Sequence, residues 1–437
     1  MSAINWARVD EGSHHGSDQL MEQVVHPTNM GRAYRQVVGN KGSAGVDGMT
    51  VSELLDHLRR NWESCKSALL SGSYYPQVVR AVEIPKPHGG VRKLGIPTVM
   101  DRLIQQALYQ VLNPLYDPTF TDRSYGFRPG RNAQQAVRQS RAYIRAGKRW
   151  VVDLDLSKFF DEVHHDRLLS KLRHRIKDRR VIHLIDRYLR SGMMLNGVEQ
   201  ARIKGTPQGS PLSPLLSNIV LDELDKELES RGLSYVRYAD DFQIYVRTKR
   251  SAERVKASTK RFIAQRLRLK VNEEKSAIGR SWERDFLGYS FTVDKQTKLK
   301  PSKQSIKGLR QKIKQQLRRG KGRNLFRFIR EDLNPILRGW INYFNQSQTK
   351  GFAKQLDSWI SRHLRKIKWR QLKRPWSRMQ ELIRQGLSEQ QAAQSAFNQR
   401  GPWWNAGAAH MNLAFPGIYF AKLGLVNLSH VLSRSSR

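Results

Sequence analysis

WVVDLDLSKFFDEV (150–163) and VRYADDFQIYV (236–246) set carboxylates inside apolar, β-prone runs, and the fold is decided by reading the two together. In the first, period-2 alternation sends Asp153 and Asp155 to one face of a strand and Leu154 and Leu156 to the other. In the second, Asp240 and Asp241 sit between two strand-like runs, as in a tight hairpin. Acids in such surroundings are costly unless a cation compensates them, and magnesium is the natural candidate. Nucleotidyl transfer needs carboxylates converging on two metal ions about 3.5–4 Å apart, and two short acidic strands side by side supply that arrangement. Taken alone, YADD also reads as an ordinary hairpin with Asp at turn positions.

Outward from these strands, residues 79–296 alternate short apolar strands with amphipathic helices and Pro/Gly turns, whereas residues 1–78 are helical with a glycine-rich break, GNKGSAGVDGMT. The chain carries 78 Lys and Arg against 38 Asp and Glu, a formal charge of +40, at an apolar content (39%) normal for folded proteins. A polyanionic partner is expected, and nucleic acid is the commonest. One cysteine, Cys65, excludes an internal disulfide and cysteine-built zinc sites. His164 and His165 point apart on any regular element and read as structural. The start of the chain carries no secretion signal and no apolar run of about 18 residues occurs, so a cytoplasmic protein that does not span a membrane is expected.

From Lys298 to Arg378 there are 24 Lys and Arg against three acids. The segment keeps helical periodicity, with Ile306, Leu309, Ile313 and Leu317 and then Leu356, Ile360, Leu364 and Ile367 on packing faces. The opposite face, represented by Lys312, Lys314, Arg318, Arg319, Arg365 and Lys366, is the expected nucleic-acid contact. Beyond it lies GPWWN (401–405), whose Trp403 and Trp404 read first as core of a small packed subdomain and second as base-stacking residues.

The ordered blocks AGVDGMT (44–50), IPKPHGGVRKLGIP (84–97), YGFRPGRNAQQAV (125–137), DLDLSKFFDEVHHDRL (153–168), GTPQGSPLSPLLSNIVLDELD (205–225), YADD (238–241), LKVNEEKSAI (269–278), FLGYSF (286–291) and RGWINYF (338–344) resemble those of the reverse transcriptase and maturase proteins encoded by bacterial group II introns. The absence of a histidine- and cysteine-bearing ending makes the resemblance one to endonuclease-lacking members. It implies Asp155, Asp240 and Asp241 as catalytic metal ligands, joined by the Leu156 carbonyl, because Asp155 lies five residues before Phe160, the aromatic that excludes a ribose 2′-hydroxyl. Asp153 is left a supporting role. Lys86, Arg92, Gln208 and Lys275 are implied in nucleotide binding, and FLGYSF in holding the primer end.

The resemblance implies an α+β right-hand polymerase followed by an α-helical thumb or maturase domain. Its expected segments are 1–78 (extension and start of the fingers), 79–296 (fingers and a palm with an antiparallel sheet), 297–378 (basic helical thumb) and 379–437 (a small C-terminal nucleic-acid-binding segment). The implied activity is RNA-directed DNA synthesis with two Mg2+ ions, Mn2+ substituting, and dNTPs on an RNA template with a DNA primer. Intron RNA and target DNA are the further implied partners, in a bacterial ribonucleoprotein. A domesticated or defence-associated reverse transcriptase and a pure RNA-binding splicing factor are the alternatives.

Overall fold

The computed structural model describes residues 19–85, 91–195 and 198–435. The chain divides into two compact units, one comprising residues up to Ser140 together with Lys148–Gly279, the other comprising Arg141–Gly147 and Arg280–Arg437. The division falls ahead of the boundary expected at 296. No helix among the described residues is long and apolar enough to cross a membrane.

In chain order the strands of the first unit are β1 (Val79–Pro85), β2 (Val91–Ile96), β3 (Trp150–Leu154), β4 (Met193–Leu195), β5 (Val198–Gln200), β6 (Ser234–Tyr238), β7 (Asp241–Val246) and β8 (Ala277–Arg280). They form two four-stranded sheets, ordered β6-β7-β3-β8 and β2-β1-β4-β5. In the first, β3 runs antiparallel to β7 with Asp153 opposite Gln243 and Leu154 opposite Phe242. Val151 and Val152 point to opposite faces of β3 and are both buried, so both faces are covered there, and the alternation read from sequence survives only at its end, where Asp153 is half-buried. The helix Ser213–Ser230 starts with proline in its first turn and buries Leu215, Leu216, Ile219, Leu221 and Leu224 in the same core as β3, β6 and β7.

The second unit has one hairpin, β9 (Tyr289–Phe291) with β10 (Leu299–Pro301), and is otherwise helical. Lys303–Arg319 is capped by the Ser302 hydroxyl, which accepts the Ser305 N–H, and buries Leu309, Ile313 and Leu317. Gly351–Gln371 buries Leu356, Ile360, Leu364 and Ile367. Both packing faces are those the periodicity predicts. The tail does not form a core of its own: Met379, Leu382, Phe415, Phe420 and Leu432 join the cluster that holds Leu309 and Leu364.

β6 is anchored by a buried charge. Arg237 and Asp225 have no exposed side-chain surface. The Arg237 Nε lies 2.9 Å from both Asp225 oxygens; Nη1 donates to the Asn218 side chain and to the Ala239 carbonyl, each at 2.9 Å, and Nη2 donates to Ser124 Oγ at 2.8 Å. The Arg237 backbone bonds on both sides to the 123–125 segment, through Arg123 O and the Tyr125 N–H. Removing one partner from such a pair strands the other without water, so Asp225→Ala should cost about 3–5 kcal/mol of stability in urea unfolding. Asp225→Leu combined with Arg237→Met should cost less than Asp225→Ala alone; equal or larger loss in the double variant would show that the pair's charge is not what the site depends on.

Candidate active site

β6 and β7 are joined by two residues, Ala239 and Asp240, with Tyr238 opposite Asp241. Ala239 sits at φ 58°, a left-handed conformation that costs a residue with a Cβ roughly 1–2 kcal/mol. It is held there from two sides. Arg237 takes its carbonyl, and Gly126 lies so close that a Cβ on it would stand 2.2 Å from the Ala239 nitrogen. Gly126 is itself fixed by the Asn218 amide, which donates to its carbonyl at 3.0 Å. Arg128 of the same YGFRPG block is buried and donates to the Thr121 and Ser124 carbonyls, which holds the loop in place behind the turn.

Asp155 stands just beyond the end of β3. Its N–H donates to Ser276 Oγ at 2.9 Å and its carbonyl accepts the Asn272 N–H at 2.8 Å, so the LKVNEEKS block fixes its backbone from both directions. Leu156 is buried and bridges to Val271. The Lys275 ammonium is 3.7 Å from an Asp155 oxygen. Desolvation in the cleft, followed by the like charges of Asp240, Asp153 and Asp155, pushes the Asp241 carboxyl up to about 6, with Lys275 acting the other way. Asp241 keeps exposed surface, so the site is an open cleft of crowded acids.

Among the described residues no three acidic or histidine side chains are already drawn together tightly enough to hold a metal ion. The donor set nonetheless fits a hard divalent cation: carboxylate oxygens from neighbouring strands repel one another, and a lysine ammonium stands where added positive charge is needed. Asp153, opposite Gln243, contributes to this field.

Two of the expected nucleotide-binding residues, Gln208 and Phe160, lie on a run of backbone contacts in the same unit. The Gln208 carbonyl accepts the Gly95 N–H of β2 at 2.8 Å, and the Thr206 N–H donates to the Phe160 carbonyl at 2.6 Å. Phe160 is half-buried and meets Phe159 edge-on at 5.2 Å. A Cβ on Gly205 would lie 2.9 Å from backbone atoms of Phe160 and Asp161, so the GTPQG loop rests directly on the Phe160 turn. His165 is buried, with Nε2 2.7 Å from the Gly205 carbonyl, and burial lowers its pKa. Arg92 is placed by its backbone opposite Ile84. Lys86 lies outside the described residues.

In the second unit, Lys312, Lys314, Arg318 and Arg319 are exposed and Lys366 is half-buried. Arg365 is a correction to the expected face. It is buried, with Nε donating to the Ala406 carbonyl and Nη1 to the Phe415 carbonyl, because i and i+1 on a helix point apart and Lys366 takes the outward direction. Trp403 and Trp404, expected in a core, are 40% and 46% exposed. FLGYSF and RGWINYF pack together: the Tyr343 hydroxyl donates to the Leu287 carbonyl at 2.9 Å, and Tyr289 meets Phe344 at 4.9 Å.

Residues 84–291 match the family model for reverse transcriptase (RNA-dependent DNA polymerase), and residues 306–386 match the group II intron, maturase-specific domain. Protein YkfC of Escherichia coli (strain K12) is 33% identical over 313 residues, covering 62% of this chain and 82% of that one. Group II intron-encoded protein LtrA of Lactococcus lactis subsp. cremoris is 30% identical over 365 residues, covering 68% of this chain and 61% of its own length. The chain belongs to the group II intron-encoded reverse transcriptase and maturase family. This reverse transcriptase is an RNA-directed DNA polymerase of a family that uses divalent metal ions, and its fold is the reverse transcriptase fold followed by a helical region. A solved structure titled partial Cas6-RT-Cas1--Cas2 complex is 25% identical, covers 59% of this chain and 45% of that chain, and aligns at a TM-score of 0.38.

Sequence reading of this reverse transcriptase missed Arg237, Asp225, Asn218 and Gly126. A charged residue inside the strand-like run VRYADD was the available signal for the first, and its buried partner one helix earlier had none. Two outcomes follow. Gly126→Ala should reduce primer extension about 100-fold through displacement of the YADD turn, while Gly130→Ala, at a loop position with open space, should not. Because the folded pKa of Asp241 is raised above its ordinary 3.8, the group's contribution to stability is present at acid pH and lost as pH rises through about 6. Without divalent cations, the melting temperature of Asp241→Asn relative to wild type should therefore rise between pH 4 and pH 7.5; a constant difference would contradict the crowding.

Proposed function

We propose that this reverse transcriptase extends a DNA primer on an RNA template at Asp155, Asp240 and Asp241, and that its basic helical unit binds group II intron RNA to assist splicing and reverse splicing into target DNA. The ions would be two Mg2+, with Mn2+ substituting, held by the three carboxylates and the Leu156 carbonyl; when bound they supply the Lewis acidity that activates a primer 3′-hydroxyl and the charge that steadies a triphosphate. The observation that carries the reading is the common field of Asp155 and Asp241, which come from the ends of neighbouring antiparallel strands.

The chain's own groups have the remaining tasks. Asp153 has a supporting part in the acidic cluster. Lys86 and Arg92 neutralise the triphosphate, Gln208 contacts the nucleotide, and Lys275 balances Asp155 until the ions enter. Phe160 fills the space a 2′-hydroxyl would take, and the bond from Thr206 to its carbonyl supports it in that position. On the second unit Lys312, Lys314, Arg318, Arg319 and Lys366 meet RNA phosphates. The maturase-specific match favours this reading over a defence-associated enzyme. The working assembly is a ribonucleoprotein in a bacterial cytoplasm.

Asp155→Ala or Asp240→Ala should remove nearly all primer extension, and activity within tenfold of wild type for either would refute the assignment of the metal ligands. In Phe160→Val, extension with ribonucleotides should rise relative to deoxynucleotides; an active variant with unchanged preference would show that another residue guards the sugar.

A further inference from the structure

The helical unit holds aromatic surface that its own packing does not use. Helix Pro402–Asn405 is anchored from behind: Asn405 is fully buried and its amide donates to the Arg400 carbonyl at 2.8 Å, while Arg365 binds the Ala406 carbonyl. Trp403 and Trp404 are therefore not its anchors, and neither belongs to the apolar cluster of the unit. A tryptophan normally gains by being covered, so two adjacent rings left 40% and 46% exposed need another reason.

Their surroundings supply one. The Arg362 guanidinium lies over the Trp403 ring at 4.2 Å, the Lys366 ammonium is 5.6 Å from its centre, and the His363 ring is 4.8 Å away. His363 continues the row to Trp359 at 4.6 Å, over which Arg310 sits at 5.8 Å. His363 and Lys366 also line a half-open cleft of about 320 Å³ with Lys314, Arg318 and Arg370, and no acid lines it. Burial, and after it the charges of Lys366, Lys314 and Arg362, hold His363 down to about 4. The cleft is at the small end of ligand pockets, roughly 300–1,000 Å³, which suits one nucleotide unit at a time.

We propose that Trp403 and the Lys314–Arg318–Lys366 cleft form a binding site for unpaired RNA, in which a base stacks on the Trp403 ring while the adjoining phosphates lie in the cleft. An ordinary cation–π staple between two helices accounts for Arg362 over Trp403, but not for the remaining exposed ring surface or for a cationic cleft sharing two residues with it. A base stacked on a cation-backed indole gains both stacking and charge contacts. The commitment to RNA rests on the cleft residues lying within the maturase-specific segment, 306–386, and the site deepens the RNA-binding reading given above by naming unpaired nucleotides as what this face selects. A paired strand keeps its bases inside the duplex and cannot offer one to the ring.

The test uses the full chain with its polymerase cleft occupied by excess unlabelled primer–template duplex. Fluorescence anisotropy then measures binding of labelled 12-nucleotide oligouridine, a ribose–phosphate 12-mer without bases, and oligothymidine. Wild type should bind oligouridine about tenfold more tightly than the baseless strand. Trp403→Ala should abolish that preference with the salt slope unchanged, and Trp403→Phe should keep most of it. Lys314→Gln with Lys366→Gln should instead lower affinity for both strands and flatten the salt slope. Retention of the base preference in Trp403→Ala would overturn the stacking site, as would tighter binding of oligothymidine, which would assign the face to DNA. Unchanged affinity of the lysine variant for both strands would overturn the basic-face reading beneath it.

Discussion

The buried Arg237–Asp225 pair is the constraint on which the polymerase unit depends. An ion pair without solvent adds little net stability, since desolvating both charges offsets most of their attraction. What it provides is direction. One guanidinium uses all its donors on Asp225, Asn218, Ser124 and the Ala239 carbonyl, and so ties a helix, a loop and the acidic turn to one point. Asn218 in turn holds Gly126, whose lack of a side chain lets backbone meet backbone at Ala239. The turn can then keep a left-handed alanine and present two adjacent acids, an arrangement neither local preference nor electrostatics would choose.

The same economy of backbone contact links the rest of the cleft. β2 touches the Gln208 loop, that loop rests on Phe160, and the Phe160 turn continues from Asp155. A displacement in β2 therefore reaches Phe160 through two peptide contacts, Gly95 to Gln208 and Thr206 to Phe160, and no flexible side chain. Gly205 and Gly209 stand where these strands of backbone approach most closely, at φ 92° and 111°. Such a pocket is preorganised by its main chain, and its side chains are left to recognise the ligand.

Much of this was legible in the residues. Strand character with misplaced acids pointed to Asp153, Asp155, Asp240 and Asp241, which share one field in the structure, because acids in apolar strands are rare enough to demand a cause; the choice of Asp155 over Asp153 came from the resemblance and not from the strand pattern. Helical periodicity in 298–378 located both packing faces, since the spacing of Ile313 or Leu364 survives any amount of surrounding charge. Three kinds of information were not legible. Long-range partnership, as between Asp225 and Arg237, leaves no local pattern. Direction around a helix is resolved only to about one residue, which is why Arg365 was placed on the outer face and lies inside. Tryptophan in a sequence reads first as core, and the 40% exposure of Trp403, with Asn405 and Arg365 anchoring Pro402–Asn405 from behind, is visible only in the packing.

The account assigns two chemistries to different residues: acids that act on a primer end and a nucleotide, and cations that hold structured RNA. Splicing is catalysed by the RNA, so the protein's part in it is to clamp a charged shape, and two acids in a cleft add nothing to that. The most direct test is an in vitro splicing assay of the parent intron at low magnesium, with wild type and a correctly folded Asp240→Ala, Asp241→Ala variant. The account predicts that the variant makes no cDNA yet supports splicing at or near the wild-type rate; loss of splicing together with cDNA synthesis would contradict it.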